Sequence, residues 1–273
     1  MKKVRKRDIT FTSKTKTRIW REIPADENPY LAKKCLCHGY DLMDLARKRD
    51  FGEVLFLLLV GELPTPEQRH LLNGLMVSLV NPGPRHPAGR AAMLAGVGKS
   101  DPAHILPIGL SVLGGAHGGG NEVSAAMEFF RKQTAKEPGQ VFAELSSEMK
   151  DAPGDKRFAP GFGTLFGSID PMAGQIANLL ADLPPCGKAL PWAMEFADLL
   201  APLGMGLLSS GVAAAVFCDL GFPYRAGAGL FQLIAAPGLL AHGLELANKP
   251  LTAMPFPDEE HFVISDEAKK RTT

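Results

Sequence analysis

Helix signals recur along nearly the whole chain, and they constrain the fold more than any other feature. Residues 65–68 are typical of a helix start. Thr65 can accept hydrogen bonds from the first free amides, Pro66 suits the first helical position, and Gln68 completes a capping box. Apolar residues then recur at helical spacing up to Leu79. The pattern predicts an all-α protein.

The same reasoning predicts a series of further helices and very little strand. Pro237 should kink the last helix and free a carbonyl. Period-two strand patterns are absent, apart from possible short strands at 9–12 and 262–264. Residues 151–168 and 183–190 are predicted to be loops, and the block between them a small lobe. The predicted helices span 41–48, 51–60, 87–97, 102–113, 121–132, 141–149, 172–183, 191–200, 207–220 and 226–246.

Composition indicates a soluble globular protein, with 45% hydrophobic residues, 22% charged residues and a formal net charge of +1. This balance predicts no nucleic-acid or membrane partner. Residues 1–21 are nevertheless basic, and they form either a solvated arm or a contact with ligand phosphates or an acidic partner. No secretory signal and no apolar run of membrane-spanning length is evident.

The four cysteines indicate reduced thiols and a cytoplasmic protein rather than a disulfide scaffold. Cys35 and Cys37 precede His38, but the spacing is not that of a zinc knuckle and no second ligand pair follows. We therefore predict no metal site.

His117 stands in a glycine-rich stretch, residues 114–120, between two predicted helices. Glycines let a backbone approach a ligand, and the free amides at the next helix start can bind a carbonyl or phosphate oxygen. A histidine there could donate to a substrate carbonyl. The alternative is a crowded helix crossing in which His117 is merely a satisfied polar residue.

Two other stretches are candidates for ligand contacts. Glycines flank Phe162 in residues 160–164, which form either a backbone loop beside a ligand or an ordinary turn. Arg85 and His86 stand in a stiff, proline-rich turn that is either solvated or part of a site.

Taken in order, four segments resemble the citrate synthase and citryl-CoA lyase superfamily, over roughly residues 39–262. They are the N-terminal pattern of residues 39–65, the segment 116–122, the loop 160–171 and the late-helix segment 241–245. The resemblance is nearest to citryl-CoA lyases and to the lyase module of ATP-citrate lyase. It implies a large helical domain (21–121 and 206–273), a small one (122–205) and a basic arm (1–20), in a homodimer or higher even oligomer.

The resemblance also implies roles for individual residues. His117 matches the histidine that hydrogen-bonds the thioester carbonyl and stabilises its enolate. Contacts to CoA are expected from Gly118, Gly119, Gly161, Phe162, Gly163 and Thr164. Contacts to the acyl group are expected from Arg85, His86, Asn121 and Leu207.

Several family positions carry different residues here. The family's second histidine falls on Thr164 and its catalytic aspartate on Leu207. Other polar or cationic positions fall on Leu165, Pro82, Asn81, Met172 and Ala235. Loss of a general base costs about 10²–10⁴ in rate, and carboxylates need arginine pairing. We therefore expect an apolar or shorter acyl group in place of citrate.

The sequence thus predicts a CoA-thioester C–C lyase or condensing enzyme that acts by retro-Claisen cleavage or decarboxylation. A CoA thioester would be its substrate, and no cofactor would be bound permanently. The alternative is a non-catalytic acyl-CoA-binding protein, or a degenerate subunit of a citrate synthase-like hetero-oligomer.

Overall fold

The computed structural model describes residues 14–147, 155–184, 187–258 and 260–262. The chain divides into two compact units, Met1–Arg69 and His70–Thr273. The division into an arm, a large domain and a small domain stays a prediction. Of the basic arm, residues 1–13 lie outside the described part, as do Cys186 and the possible strand at 9–12.

The first unit combines a small antiparallel sheet with short helices. Strands β1 (Trp20–Pro24), β2 (Ala32–Cys37) and β3 (Tyr40–Asp41) pair in that order. Helices α1 (Leu42–Lys48) and α2 (Phe51–Val60) follow, with Asp41 and Asp50 as their N-caps. Cys37, Leu45 and Leu57 form the core.

Helix α3 (Pro66–Ser78) contains the boundary between the units, and its predicted capping box is confirmed. The Thr65 amide donates to Gln68 Oε1 at 2.9 Å, and the Gln68 amide donates to Thr65 Oγ1 at 3.2 Å. The local pattern alone therefore fixed where this helix begins.

The second unit is built from α4–α11 and a small sheet. The helices are α4 (Pro87–Val97), α5 (Pro102–Leu113), α6 (Gly120–Gln133), α7 (Pro138–Ser146), α8 (Pro171–Ala181), α9 (Ala189–Leu200), α10 (Ser209–Asp219) and α11 (Gly227–Ala247). α11 packs against α4, α5 and α6, while α10 packs against α6 and α9. Because residues 210–217 of α10 are all buried, this helix is the apolar centre of the unit.

The second sheet contradicts the prediction that strands are confined to the ends of the chain. β4 (Arg157–Ala159), β5 (Phe162–Gly163) and β6 (Gly206–Leu207) pair antiparallel in that order. β4 and β5 lie where a loop was predicted, and β6 where the start of a helix was predicted. Strands of two or three residues are too short to show a period-two pattern. The first sheet was missed as well.

Helix α11 continues through Pro237 from Gly227 to Ala247, and the kink predicted there stays a prediction. The Gly238 amide, just after Pro237, donates to the carbonyl of Val80 at 3.1 Å and so fixes the start of the loop before α4. Among the described residues, the segment Tyr224–Ala247 alone has the length and hydropathy of a membrane-crossing helix, contrary to the expectation from sequence. A helix buried in a protein core passes the same test, and α11 packs on three neighbours.

Candidate functional site

His117 lies on the exposed side of the loop that joins α5 to α6. Its ring makes no hydrogen bond to any of the described residues. The next residue, Gly118, has φ = +66°, a left-handed conformation that favours glycine. An unbonded imidazole at the surface is accessible to a ligand.

The polar groups of Gly118 are both bound by side chains. Its amide donates to Glu122 Oε2 at 2.5 Å, and its carbonyl is 3.1 Å from His86 Nε2. His86 also caps α4, because its Nδ1 accepts from the Ala88 amide at 3.1 Å. With Nδ1 as acceptor, Nε2 carries the proton and donates to Gly118.

Burial lowers the pKa of His86 below its usual value, while the bond to the Gly118 carbonyl opposes that shift. The neutral imidazole is therefore the form that suits this geometry. The expected contact of His86 with an acyl group stays a prediction, since both of its ring nitrogens are engaged within the protein.

Glu122 is the centre of a buried polar network, with its side chain only 4% exposed. Besides Gly118, it accepts from Ser210 Oγ at 3.1 Å and from Arg157 Nε at 2.8 Å. Arg157 Nη1 also donates a hydrogen bond to the carbonyl of Thr164 at 2.8 Å. One carboxylate thus joins the His117 loop, the first turn of α10 and the β4–β5 hairpin.

The β4–β5 hairpin lies against the start of α10 with backbone touching backbone. A Cβ atom at Gly161 would lie 2.6 Å from Gly211 Cα, and the Leu208 amide donates to the Gly161 carbonyl at 2.9 Å. Phe162 is fully buried and meets the Phe196 ring edge-on at 4.9 Å between centroids. Its side chain is part of the core, so a CoA contact there would have to come from the backbone.

Thr164 occupies the position that the resemblance assigns to a second histidine, and its hydroxyl is already used. Thr164 Oγ1 accepts from the Lys156 amide at 2.9 Å and lies 3.4 Å from Asp155 Oδ1. The side chain is buried. The Gly167 amide donates to Asp155 and is the main cause of the lowered pKa of that carboxyl.

Exposed apolar side chains follow Thr164, namely those of Leu165, Phe166, Ile169 and Met172. The resemblance places arginines at two of these positions, Leu165 and Met172. Phe166 is 70% exposed and has φ = +50°, which is strained for an aromatic residue. Leu207, at the position of the family's aspartate, is buried in β6.

The remaining predicted substrate contacts lie at the surface. Arg85 is exposed and makes no ion pair with the described residues, and it directly precedes the His86 cap. Asn121 is exposed in the first turn of α6. Their roles, like those of the predicted CoA contacts, stay predictions. The described residues contain no cluster of histidine, cysteine, aspartate or glutamate that could hold a metal ion.

Sequence reasoning missed the residues that join these segments. Glu122 lies in the segment 116–122 that carries the resemblance, but nothing in the sequence joins it to Arg157 or to Ser210. Nothing local pairs Glu122 with Arg157, which lie 35 positions apart. A glutamate in the first turn of a helix is also common without any wider role.

Solved structures of the citrate synthase and citryl-CoA lyase superfamily share this fold. A citryl-CoA lyase from Hydrogenobacter thermophilus superposes with a TM-score of 0.72 and 25% identity, over 92% of this chain and 94% of that one. The chain has the fold of the citrate synthase and citryl-CoA lyase superfamily, in agreement with the resemblance found in its sequence. The mainly helical fold predicted from sequence is confirmed with it.

Other superfamily members show the same fold at lower identity. ATP citrate lyase from Methanosaeta concilii matches with a TM-score of 0.69 and 20% identity, over 97% of this chain but 44% of that one. Citrate synthase from Thermoplasma acidophilum matches with a TM-score of 0.58 and 21% identity, over 79% and 59% of the two chains. This chain therefore spans less than half of the ATP citrate lyase chain.

Sequence similarity to a curated member of this superfamily is confined to a short segment. A citrate synthase from Corynebacterium glutamicum is 54% identical over 35 residues, which are 13% of this chain and 8% of that enzyme. No protein-family model matches the chain.

Proposed function

We propose that the protein binds a CoA thioester and makes or breaks a C–C bond beside it, with His117 stabilising the enolate. The observation that carries the proposal is the exposed, unbonded His117 on a loop whose next residue is held by His86 and Glu122. Solved members of the superfamily support the ligand class, because one is bound to (3S)-citryl-CoA.

His117 would act as a hydrogen-bond donor to the thioester oxygen. In retro-Claisen cleavage, the β-hydroxyl of the substrate loses its proton to solvent and becomes a carbonyl as the C–C bond breaks. The electron pair of that bond moves into an enolate, whose carbon solvent then protonates. In decarboxylation, carbon dioxide leaves instead, and solvent then protonates the enolate carbon. A donor placed at an oxyanion typically contributes about 10²–10³ in rate.

We propose an acyl group other than citrate, because the residues around the hairpin are poor partners for carboxylates. The Thr164 hydroxyl is bonded within the protein, and Leu207 is buried and apolar. Leu165 and Met172 offer exposed apolar surface where carboxylate recognition would need cations. An apolar or short acyl group fits these side chains better.

A non-catalytic role is the second candidate, and one observation favours it. Neither Thr164 nor Leu207 can act as a general base, so a reaction that needs proton abstraction from carbon would lack its base. The protein would then sense acyl-CoA or pair with an active relative. Decarboxylation forms an enolate without a base, so a test for decarboxylation distinguishes a catalytic role from a non-catalytic one.

The test combines binding with chemistry on the purified chain. Thermal shifts are measured with CoA and with acetyl-, propionyl-, butyryl-, malonyl-, methylmalonyl- and citryl-CoA. A ligand at 100 times its Kd should stabilise the protein by about 2.7 kcal/mol. Products formed in D₂O are then identified by mass spectrometry. Deuterium-labelled acyl-CoA from a carboxyacyl-CoA supports the enzyme, binding without product supports the sensor, and no shift with any thioester refutes both.

We also propose a homodimer or higher even oligomer. The exposed residues of α11 recur every four positions and are uncharged up to Leu244, and α5 beside it exposes Ile108 and Val112. α10 offers no surface for such an interface, because its apolar sides are buried within the unit. Stripes of this kind suit a self-complementary interface. Sedimentation that shows a stable monomer at micromolar concentration would refute it.

A further inference from the structure

The residue after His117 is held at both of its polar groups, by side chains from two different helices. Glu122 comes from the first turn of α6 and accepts the Gly118 amide, while His86 caps α4 and donates to the Gly118 carbonyl. The Gly118 amide belongs to the peptide plane shared with His117, and its carbonyl belongs to the next plane. Two consecutive peptide planes are therefore held, and the first of them begins at the Cα atom that carries the His117 side chain.

His86 and Glu122 make more contacts than the starts of α4 and α6 require. An N-cap needs only the bond from His86 Nδ1 to the Ala88 amide, yet the other ring nitrogen reaches 32 positions along the chain. A carboxylate buried as deeply as Glu122 is costly unless it is fully paired. Its pairing with Arg157 and Ser210 anchors the clamp to the hairpin and to α10.

We propose that His86 and Glu122 are positioning residues that together clamp Gly118 and aim the His117 imidazole at a thioester oxygen. The clamp rests on the proposed function of His117 and deepens it. In this role neither residue needs to touch the ligand, because both act through the backbone of the loop. Misplacement of a catalytic group by about 1 Å can cost 10²-fold in rate, which gives such a clamp a measurable effect.

The variant His86→Asn separates the clamp from the cap. Asparagine is among the best N-cap residues, so the bond to the Ala88 amide can be kept, while the shorter side chain cannot reach Gly118. Asp101→Ala is the matched control, because Asp101 caps α5 through the Ala103 amide and makes no contact with the His117 loop. Glu122→Gln is the second variant, since it keeps the shape of the side chain but removes the charge.

The primary readout is amide hydrogen exchange of residues 114–120, measured on the full chain without ligand. We expect His86→Asn and Glu122→Gln to speed exchange there about tenfold or more, and Asp101→Ala to leave it unchanged. Affinity for acetyl-CoA and turnover of malonyl-CoA follow. The clamp predicts a fall in kcat of about tenfold to a hundredfold, with little change in KM.

The two proposals fail in different ways. If exchange in residues 114–120 is the same in wild type, His86→Asn and Glu122→Gln, the clamp is wrong, whatever the protein binds. If exchange rises in both variants but wild type binds no CoA thioester, the clamp stands and the proposed function falls. If Asp101→Ala speeds exchange in the loop as much as His86→Asn, the effect is general loosening and the clamp is overturned.

Discussion

Arg157 and Glu122 form a buried ion pair, with 2.8 Å between Nε and Oε1 and side chains that are 18% and 4% exposed. The pair joins the β4–β5 hairpin to the first turn of α6. A buried charge that loses its partner is left uncompensated, which typically costs about 3–5 kcal/mol. The connection between hairpin and loop therefore depends on this contact.

Replacing Arg157 with methionine should lower the free energy of unfolding by about 3–5 kcal/mol. Lys132→Met is the control, because its pair with Glu128 is exposed and its loss should change the stability far less. Urea denaturation measures both. Equal losses in the free energy of unfolding of the two variants would mean that the buried pair contributes no more to stability than the exposed pair.

Alanine at Gly211 should destabilise the protein, because its Cβ would lie 2.3 Å from the Gly161 carbonyl oxygen. Overpacking of this kind costs about 1–3 kcal/mol. Gly174→Ala in α8 is the opposite case, since a Cβ there meets nothing within 4 Å. That change should stabilise by about 0.5–1 kcal/mol through helix propensity. Melting temperatures that move in the same direction would contradict the packing described here.

The lowered pKa of His86 predicts a pH-dependent stability. Between its folded pKa and the unfolded value near 6.5, the unfolded chain binds more protons, so stability rises with pH. The contribution is fully present above pH 6.5 and is lost as pH falls towards the folded pKa. His86→Asn should remove this slope from unfolding curves measured between pH 5 and 7.5. An unchanged slope would mean that other groups cause it.

Cys218 should resist thiol reagents in the native protein. Burial, with the charge of Asp219 as a smaller cause, raises its pKa to about 12, and the thiolate is the reactive form. Iodoacetamide at pH 8 should label Cys35, which is partly exposed, much faster than Cys218. Peptide mass spectrometry measures both, with urea-unfolded protein as the reference. Rapid native labelling of Cys218 would contradict its burial.

The helices were predictable because their signals are local. Asp41, Thr65 and Gly61 mark helix ends through their own side chain or backbone, and these ends are where the sequence placed them. The strands were missed because β5 and β6 have two residues each, and their pairing depends on contact between Gly161 and Gly211, 50 positions apart.

The candidate site was predictable only in part. A histidine among glycines is visible in sequence, and the structure places it exposed on a loop. The residues that hold that loop were not predictable in this role. His86 resembles a turn residue, and Glu122 resembles an ordinary first-turn acid. Their function arises from contacts that form only when α4, α6, α10 and the hairpin come together.

The role of His117 is the central claim, and the variant His117→Ala tests it most directly. Melting temperature, affinity and turnover are measured on one preparation, with the CoA thioester that gives product in the panel above. The exposed side chain predicts a change of no more than about 0.5 kcal/mol in stability. Affinity should change little, and turnover should fall about 10²–10³-fold through loss of one oxyanion donor. A stable His117→Ala protein with full turnover would contradict the account.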